Sequence, residues 1–419
     1  MKTPPSPEPD SLTRSGGSGR IASIDALRGF VMFVMIIVND LSPVPADIVP
    51  WWMKHFHGPT GLTFVDLVFP GFLFIVGMSI PFALQSRLKK EPRWRTFLHV
   101  ISRTLALLFI GVLMVNDTPD TARMGWSGPL WCTLMYLSAI CAFCVLTPAK
   151  PGKTSRFVSL FLRCLGLTAL VILALVFRSD NGRSVIGLSP FYIRHMWWGI
   201  LGYIAWAYLL SGIIFLIFGT NLTALLGCAI LMMCMYPANK NSMFSGLWLA
   251  GQVNFGVAFG SRAAITALGL MLGVRLLATG PRDAGARIRF ALWLTVGCAV
   301  AAWLLSGLYG VSKEEATPSW ALWGCVTTAA LWLIFYFIAD LKPLPVISKP
   351  LAVAGENVFL AYLISEMLPY AVDSLGISHW YEGLAQPHLA NALLRSAVCS
   401  VVILVVSAGL NRLGFRLKL

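Results

Sequence analysis

Charge is what this chain has least of. Of its 419 residues, 12% are Asp, Glu, Lys or Arg and 57% are hydrophobic, whereas soluble domains carry about 25% charged residues. So little polar surface cannot cover a soluble protein of this size. Disordered, collagen-like and coiled-coil chains are excluded as well, since each needs polar or strictly periodic sequence. Acidic residues are the scarcer sign, 18 against 32 basic, for a net charge of +14. No basic stripe interleaved with exposed aromatics accompanies that excess, so a nucleic-acid partner is not expected. The nine cysteines all fall in apolar runs rather than in polar loops that would form a disulfide or metal site. The Cys141-x-x-Cys144 pair lies in Leu137–Leu146 with no βαβ pattern around it and reads as small buried hydrophobes. Also missing are GxxxxGK[ST], HExxH, GxSxG and a helix-opening GxGxxG, which removes support for ATP-driven transport, zinc hydrolysis and Rossmann redox chemistry. What remains is a polytopic helical membrane protein.

A hydrocarbon core of about 30 Å needs about 20 helical residues. Twelve segments qualify: 24–43, 62–85, 96–115, 128–147, 157–177, 197–218, 221–237, 256–278, 288–310, 318–340, 350–371 and 390–411. The seventh is short, and with Gly219-Thr220 as its only link to the sixth it is either half of a hairpin or part of a broken pair, so the count runs from ten to twelve. The fold class is thus all-α, a transmembrane bundle over residues 21–419. It follows a Pro-, Ser- and Gly-rich tail over 1–20 that reads as disordered and cytoplasmic. With the N-terminus inside, eighteen Lys and Arg fall in or beside inner segments and seven in outer ones, so both termini are expected in the cytoplasm. Trp51, Trp52, Trp197, Trp198, Trp248 and Trp380 sit in the long outer segments, as an interfacial girdle would. Gly256/Gly260 and Gly269/Gly273 are small-xxx-small pairs that predict close helix packing.

Ionisable residues inside spans are costly, and each is a functional hypothesis. Asp25 and Arg28 lie three apart on one face and can pair. Arg103, Arg275 and Arg395 either snorkel to an interface or serve a ligand. The densest polar cluster joins Asn39 and Asp40, at the outer end of the first span, to Lys54-His55-Phe56-His57 and to Asp66 at the start of the second. Imidazole is the natural base near neutral pH, and Asp66 is placed to orient one. Glu356-Asn357 and Glu366 make the eleventh span polar at two depths. Lys313-Glu314-Glu315-Ala316-Thr317-Pro318-Ser319-Trp320 is an outer loop that either caps the site or is a solvated turn.

These residues resemble the transmembrane N-acetyltransferases typified by heparan-α-glucosaminide N-acetyltransferase, especially bacterial inner-membrane relatives linked to N-acetylglucosamine use and sometimes called transporters. The resemblance rests on Ile24-Asp25-Ala26-Leu27-Arg28-Gly29-Phe30, Val38-Asn39, Lys54-His55, Gly61-Leu62-Thr63 and Asp66-Leu67-Val68-Phe69-Pro70. It continues through Ala316-Thr317-Pro318-Ser319-Trp320 and Gly355-Glu356-Asn357 with Tyr362. It implies transfer of acetyl from cytosolic acetyl-CoA to an amino sugar or related glycan on the periplasmic side of an inner membrane. His55 and Asn39 then take the catalytic positions. Six positions separate His55 from Gly61, against five in the animal enzymes, which keeps His57 as a rival. Lys54, Asp40, Asp66, Glu366 and Trp320 become candidates for substrate binding. Asp25, Arg28, Arg103 and Asn357 become candidates for binding acetyl-CoA, with no metal. No counterpart of the animal enzymes' large lumenal domain is seen, so an acceptor other than heparan is expected. Membrane lipid and a small amino sugar or glycan are the expected partners, and a homo-oligomer stays open. The alternative is a permease for N-acetylglucosamine or a related sugar, with the tryptophans as stacking platforms. Two features weigh modestly toward the enzyme: the polar groups gather at one face, and no repeat relates the two halves.

Overall fold

The computed structural model describes residues 21–147, 153–279 and 283–417; the tail over 1–20 lies outside them. The chain is built from helices α1 (Ala22–Leu41), α2 (Val68–Leu88), α3 (Arg93–Met114), α4 (Thr121–Met124), α5 (Gly128–Phe143), α6 (Lys153–Val176), α7 (Gly199–Phe218) and α8 (Leu222–Lys240). These are followed by α9 (Arg262–Ala278), α10 (Ala284–Tyr309), α11 (Pro318–Tyr336), α12 (Pro345–Ala354), α13 (Val358–Ser374), α14 (Ser378–Gly383) and α15 (Leu389–Arg412). Among the described residues there are also four short strands: β1 (Cys144–Leu146) pairs antiparallel with β4 (Phe415–Leu417), and β2 (Ile186–Leu188) with β3 (Phe191–Ile193).

Among the described residues ten helices are long and apolar enough to cross a membrane. The other two of the twelve expected segments are also helical but interrupted. One is α5, only 16 residues long, because the chain after Phe143 turns into β1 and pairs with the C-terminal strand. Cys141 is therefore helical while Cys144 opens a strand. The other is the α12–α13 pair, bent by 72°. Gly355-Glu356-Asn357 forms the corner, so Glu356 and Glu366 do not share one straight helix. The corner has a steric cause: a Cβ on Gly355 would sit 2.0 Å from the Asp25 carbonyl oxygen, and one on Gly29 would sit 2.0 Å from that of Leu351. Only glycine lets α12 and α1 approach this closely. Helices α7 and α8 are separate arms of a hairpin that turns at Gly219, φ +57°.

Helices α2 and α9 run side by side at the centre. Gly269 and Gly273 lie against the backbone of Phe74 and Met78, and Gly77 against that of Thr266, so both small-residue faces of the pair are used. Gly256 and Gly260 pack against α8 in the same way. The α9 segment is the most enclosed, 89% of its apolar window being buried, against 17% for α10 and 22% for α6 and α8. Leu292, Trp293, Val296, Val300, Trp303 and Leu304 line the outward side of α10, each about half exposed or more. A soluble protein would not present that stripe to water; in a bilayer it meets lipid. The molecule is a multi-pass membrane protein.

Loops meet one another at each end of the bundle. At one end Asp340 accepts the Ala22 and Ser23 amides, both at 3.1 Å, and β1 meets β4. At the other, the Gly61 amide donates to Val311 O at 2.9 Å and the Trp198 indole to Gln252 O at 2.7 Å.

Candidate active site

The loop between α1 and α2 delivers the site. It ends in a 3₁₀ turn, Phe64–Leu67, which feeds α2. Asp66 is the third residue of that turn and reaches back over its start. Its Oδ2 accepts the Thr63 amide, the Thr63 hydroxyl and the Phe56 amide, each at 3.1 Å. The Trp320 indole of α11 holds the Asp66 carbonyl at 3.0 Å. With Oδ2 occupied threefold, Oδ1 is left for one partner, and His55 Nδ1 lies 2.9 Å from it. The carboxylate is 1% exposed and the imidazole 31%. A carboxylate can only accept, so the hydrogen sits on Nδ1 and the lone pair on Nε2. A buried acid thus orients the imidazole, whose lone-pair nitrogen Nε2 meets the Lys313 ammonium at 3.2 Å.

A third group comes from the α10–α11 loop. Lys313 Nζ stands beside the ring, 2.8 Å from Nδ1 and 3.2 Å from Nε2, and 3.7 Å from Asp66 Oδ1. Burial pulls the Lys313 ammonium below its ordinary range, opposed by the Asp66 charge and reinforced by Arg262. The loop is held for this purpose. Thr317 Oγ1 accepts the Ser312 amide at 3.0 Å, Gly310 turns with φ +65° against Thr60, and Glu315 leaves the site to pair with Lys240 at 2.6 Å. The loop thus packs over the His55 ring through Lys313.

The other expected residues are distributed as follows. His57 is 81% exposed and faces Glu314 at 3.4 Å; no carboxylate in the interior orients it. Lys54 Nζ donates to Val44 O and so shapes the loop. Trp320 is fully buried beneath Asp66. Asn39 is not hydrogen-bonded to His55: its Nδ2 donates to Glu366 Oε1 of α13 at 2.9 Å, near a second polar group in which Tyr370 donates to Asp117 at 2.9 Å. Asp40 is saturated by Tyr381 at 2.6 Å, by Ser396, and by the nearly buried Arg395 at 3.0 Å, tying α1 to α14 and α15.

At the opposite end Arg28 bridges Asp25 at 2.8 Å, Ser79 of α2 at 2.7 Å and Gly355 O at 3.3 Å. A cavity of about 760 Å³ opens beside it, lined by Asp25, Arg28, Ser79, Gln85, Lys89 and Lys90. Asn357 instead binds the β4 backbone through Phe415 O at 3.3 Å. Arg103 lies 4.7 Å over the Tyr208 ring. Several buried polar atoms lack hydrogen-bond partners among the described residues: Arg103 Nε, Tyr208 Oη, Ser211 Oγ, Ser261 Oγ and Thr266 Oγ1 among them. They lie on α3, α7 and around the start of α9, in the interior between the two ends.

Two basic residues near the site were not singled out from the sequence. Lys313 looked like a loop charge, and Arg262 lay unremarked in the eighth span, although an arginine inside an apolar run is itself the signal.

These features define a helical membrane protein with a carboxylate–imidazole pair held at one face of its bundle. The chain belongs to the family described as Domain of unknown function (DUF5009), whose model matches residues 20–243. It is also similar to heparan-alpha-glucosaminide N-acetyltransferase of Mus musculus, 31% identical over 115 residues, which cover 27% of this chain and 17% of the mouse protein. The Homo sapiens protein of the same name is 32% identical over 108 residues, 26% of this chain and 15% of the relative. The match therefore spans about a sixth of either relative's length.

Proposed function

We propose that the protein moves an acetyl group from cytosolic acetyl-CoA to the amine of an amino sugar or related glycan held at the outer face, with His55 as the base. The observation that carries this reading is the Asp66–His55 pair at 2.9 Å. It belongs to a chain similar to named N-acetyltransferases. In the step, the acceptor nitrogen attacks the thioester carbon and gives its proton to His55 Nε2. The carbon–sulfur bond breaks, and the departing thiolate is protonated to the thiol. Asp66 stabilises the imidazolium through Nδ1. Lys313, and the Asn39 N–H not used by Glu366, are donors suited to the oxyanion, where one such donor contributes about 2.7–4 kcal/mol.

The inner cavity suits the donor's phosphates, since Arg28, Lys89 and Lys90 line it. The unpartnered hydroxyls on α7 and around the start of α9 suit a polar chain threaded toward the outer site. Both termini are cytoplasmic in this reading, the membrane is the inner one, and residues 21–419 act as one unit.

The test is turnover by purified protein supplied with radiolabelled acetyl-CoA and a panel of amino sugars. CoA release matched by acetylated sugar, and lost in His55→Ala, supports the reading. Turnover that persists in His55→Ala and stops in His57→Ala moves the base by two residues.

A further inference from the structure

Near the depth of Asp66 lies a cation without a counter-ion among the described residues. Arg262 is 8% exposed, and its Nε and Nη1 have no hydrogen-bond partner among the described residues. Its guanidinium is stacked 3.7 Å from the Tyr203 ring centre and 5.9 Å from that of Phe69. Phe69 is three residues beyond Asp66, on the first turn of α2. The α2–α9 register, with Gly269 against Phe74 and Gly273 against Met78, independently sets Arg262 at the depth of Asp66 and Phe69. The backbone is broken here as well: a π-helical turn over Phe255–Ser261, with Gly260 outside helical geometry, precedes α9. The start of α9, the positive end of its dipole, is therefore at this level too.

The charges around it do not balance. Lys313 stands beside the His55 ring, with its side chain 28% exposed, and Arg262 is close enough to oppose its charge. Of the acids of the neighbouring loop, Glu315 pairs with Lys240, while Glu314 faces His57 and adds a weaker favourable charge to Lys313. Lys313 thus has Asp66, 3.7 Å away, as its nearest acid, while Arg262 has no carboxylate partner among the described residues. An unpaired charge in such a place is expensive unless a ligand neutralises it.

We infer that Arg262 and Lys313 form an anion subsite beside His55, which takes an acidic group, phosphate or carboxylate, carried by the acceptor sugar. The acetyl-transfer reading enters only in calling this ligand the acceptor. The subsite makes acidic amino sugars the preferred class over neutral ones. Arginine suits such oxyanions because it stays charged when buried.

The experiment measures equilibrium binding to the purified full-length chain in detergent, with no turnover required. The probes are glucosamine, glucosamine 6-phosphate and muramic acid, each with and without saturating CoA. Wild type is expected to bind at least one acidic sugar about tenfold or more tightly than glucosamine, with CoA leaving that preference in place. Arg262→Met, which keeps an apolar side chain against Tyr203, abolishes the preference and leaves glucosamine affinity unchanged. Should that variant not fold, Lys313→Met at the loop reads the same preference and reduces it. Equal binding of neutral and acidic sugars by wild type overturns the inference. So does an acidic preference untouched by both substitutions, and so does displacement of the acidic sugar by CoA, which assigns the cations to the donor. A preference that stands in a protein without acetyl transfer sinks the proposed function and keeps the subsite; turnover on neutral sugars alone does the reverse.

Discussion

At the scale of single residues, the site is a hierarchy in which each group fixes the next. Thr63 and the Phe56 amide hold Asp66, Asp66 holds His55, and Lys313 closes over the ring. Asp66→Asn keeps the shape but replaces an acceptor-only group with one that permits the wrong imidazole tautomer. Acetyl transfer is expected to fall by about 10²–10⁴-fold with little change in expression, and equal kcat in wild type and variant contradicts the hierarchy. The lowered Lys313 ammonium gives a second readout. The unfolded chain holds this proton more tightly than the folded one, so between the lowered value and the ordinary lysine range the folded state gains stability as pH rises. Melting profiles of wild type and Lys313→Met should therefore diverge in favour of wild type as pH increases through the alkaline range, and parallel profiles contradict the assignment. His55 and Asp66 were readable in the sequence because both lie within a dozen residues of each other, at the edge of one span. Lys313 and Arg262 come from 258 and 207 residues after His55, and no local spacing announces them.

At the scale of elements, glycine decides where helices meet. The central α2–α9 pair and the α1–α12 contact have backbones so close that a methyl group does not fit at Gly77, Gly269, Gly29 or Gly355. Gly355→Ala is expected to destabilise the purified protein by about 1–3 kcal/mol through overpacking against Asp25 O, seen as a lowered melting temperature. Gly297, on the outward side of α10, has open space where a Cβ would go, so Gly297→Ala should be neutral or stabilising by about 0.5–1 kcal/mol. A reversed order contradicts the packing. The small-residue pairs were visible in the sequence, since glycines four apart share a helix face. The α12–α13 corner was not: the apolar runs on either side of Gly355-Glu356-Asn357 read as one span of 350–371, and the close approach of α1 at Gly355 appears only in the fold. The early end of α5 was hidden for the same reason, because β4, its distant cause, lies at the far end of the chain.

At the scale of the whole molecule, twelve apolar segments were legible from length and composition, and all are helical. Which of them form the centre was less so. The burial of α9 and the lipid-facing stripe of α10 follow from packing, not from mean hydropathy, which is similar in the two. The orientation proposed from the charge bias is open to direct labelling. A membrane-impermeant maleimide added to intact spheroplasts should react with His57→Cys, and with Lys89→Cys only after permeabilisation, above the background of wild type. The opposite pattern inverts the topology and puts the His55 site on the cytoplasmic side.

The central claim is that the bundle carries out acyl transfer between its two faces, and sided turnover tests it most directly. Protein is reconstituted in liposomes with amino sugar sealed inside, and acetyl-CoA is added outside. The fraction inserted with the Lys89 face outward is expected to accumulate acetylated sugar in the lumen and free CoA in the medium, and His55→Ala to do neither. Sugar that instead crosses the membrane unmodified, with acetyl-CoA left intact, would contradict the account and identify a permease.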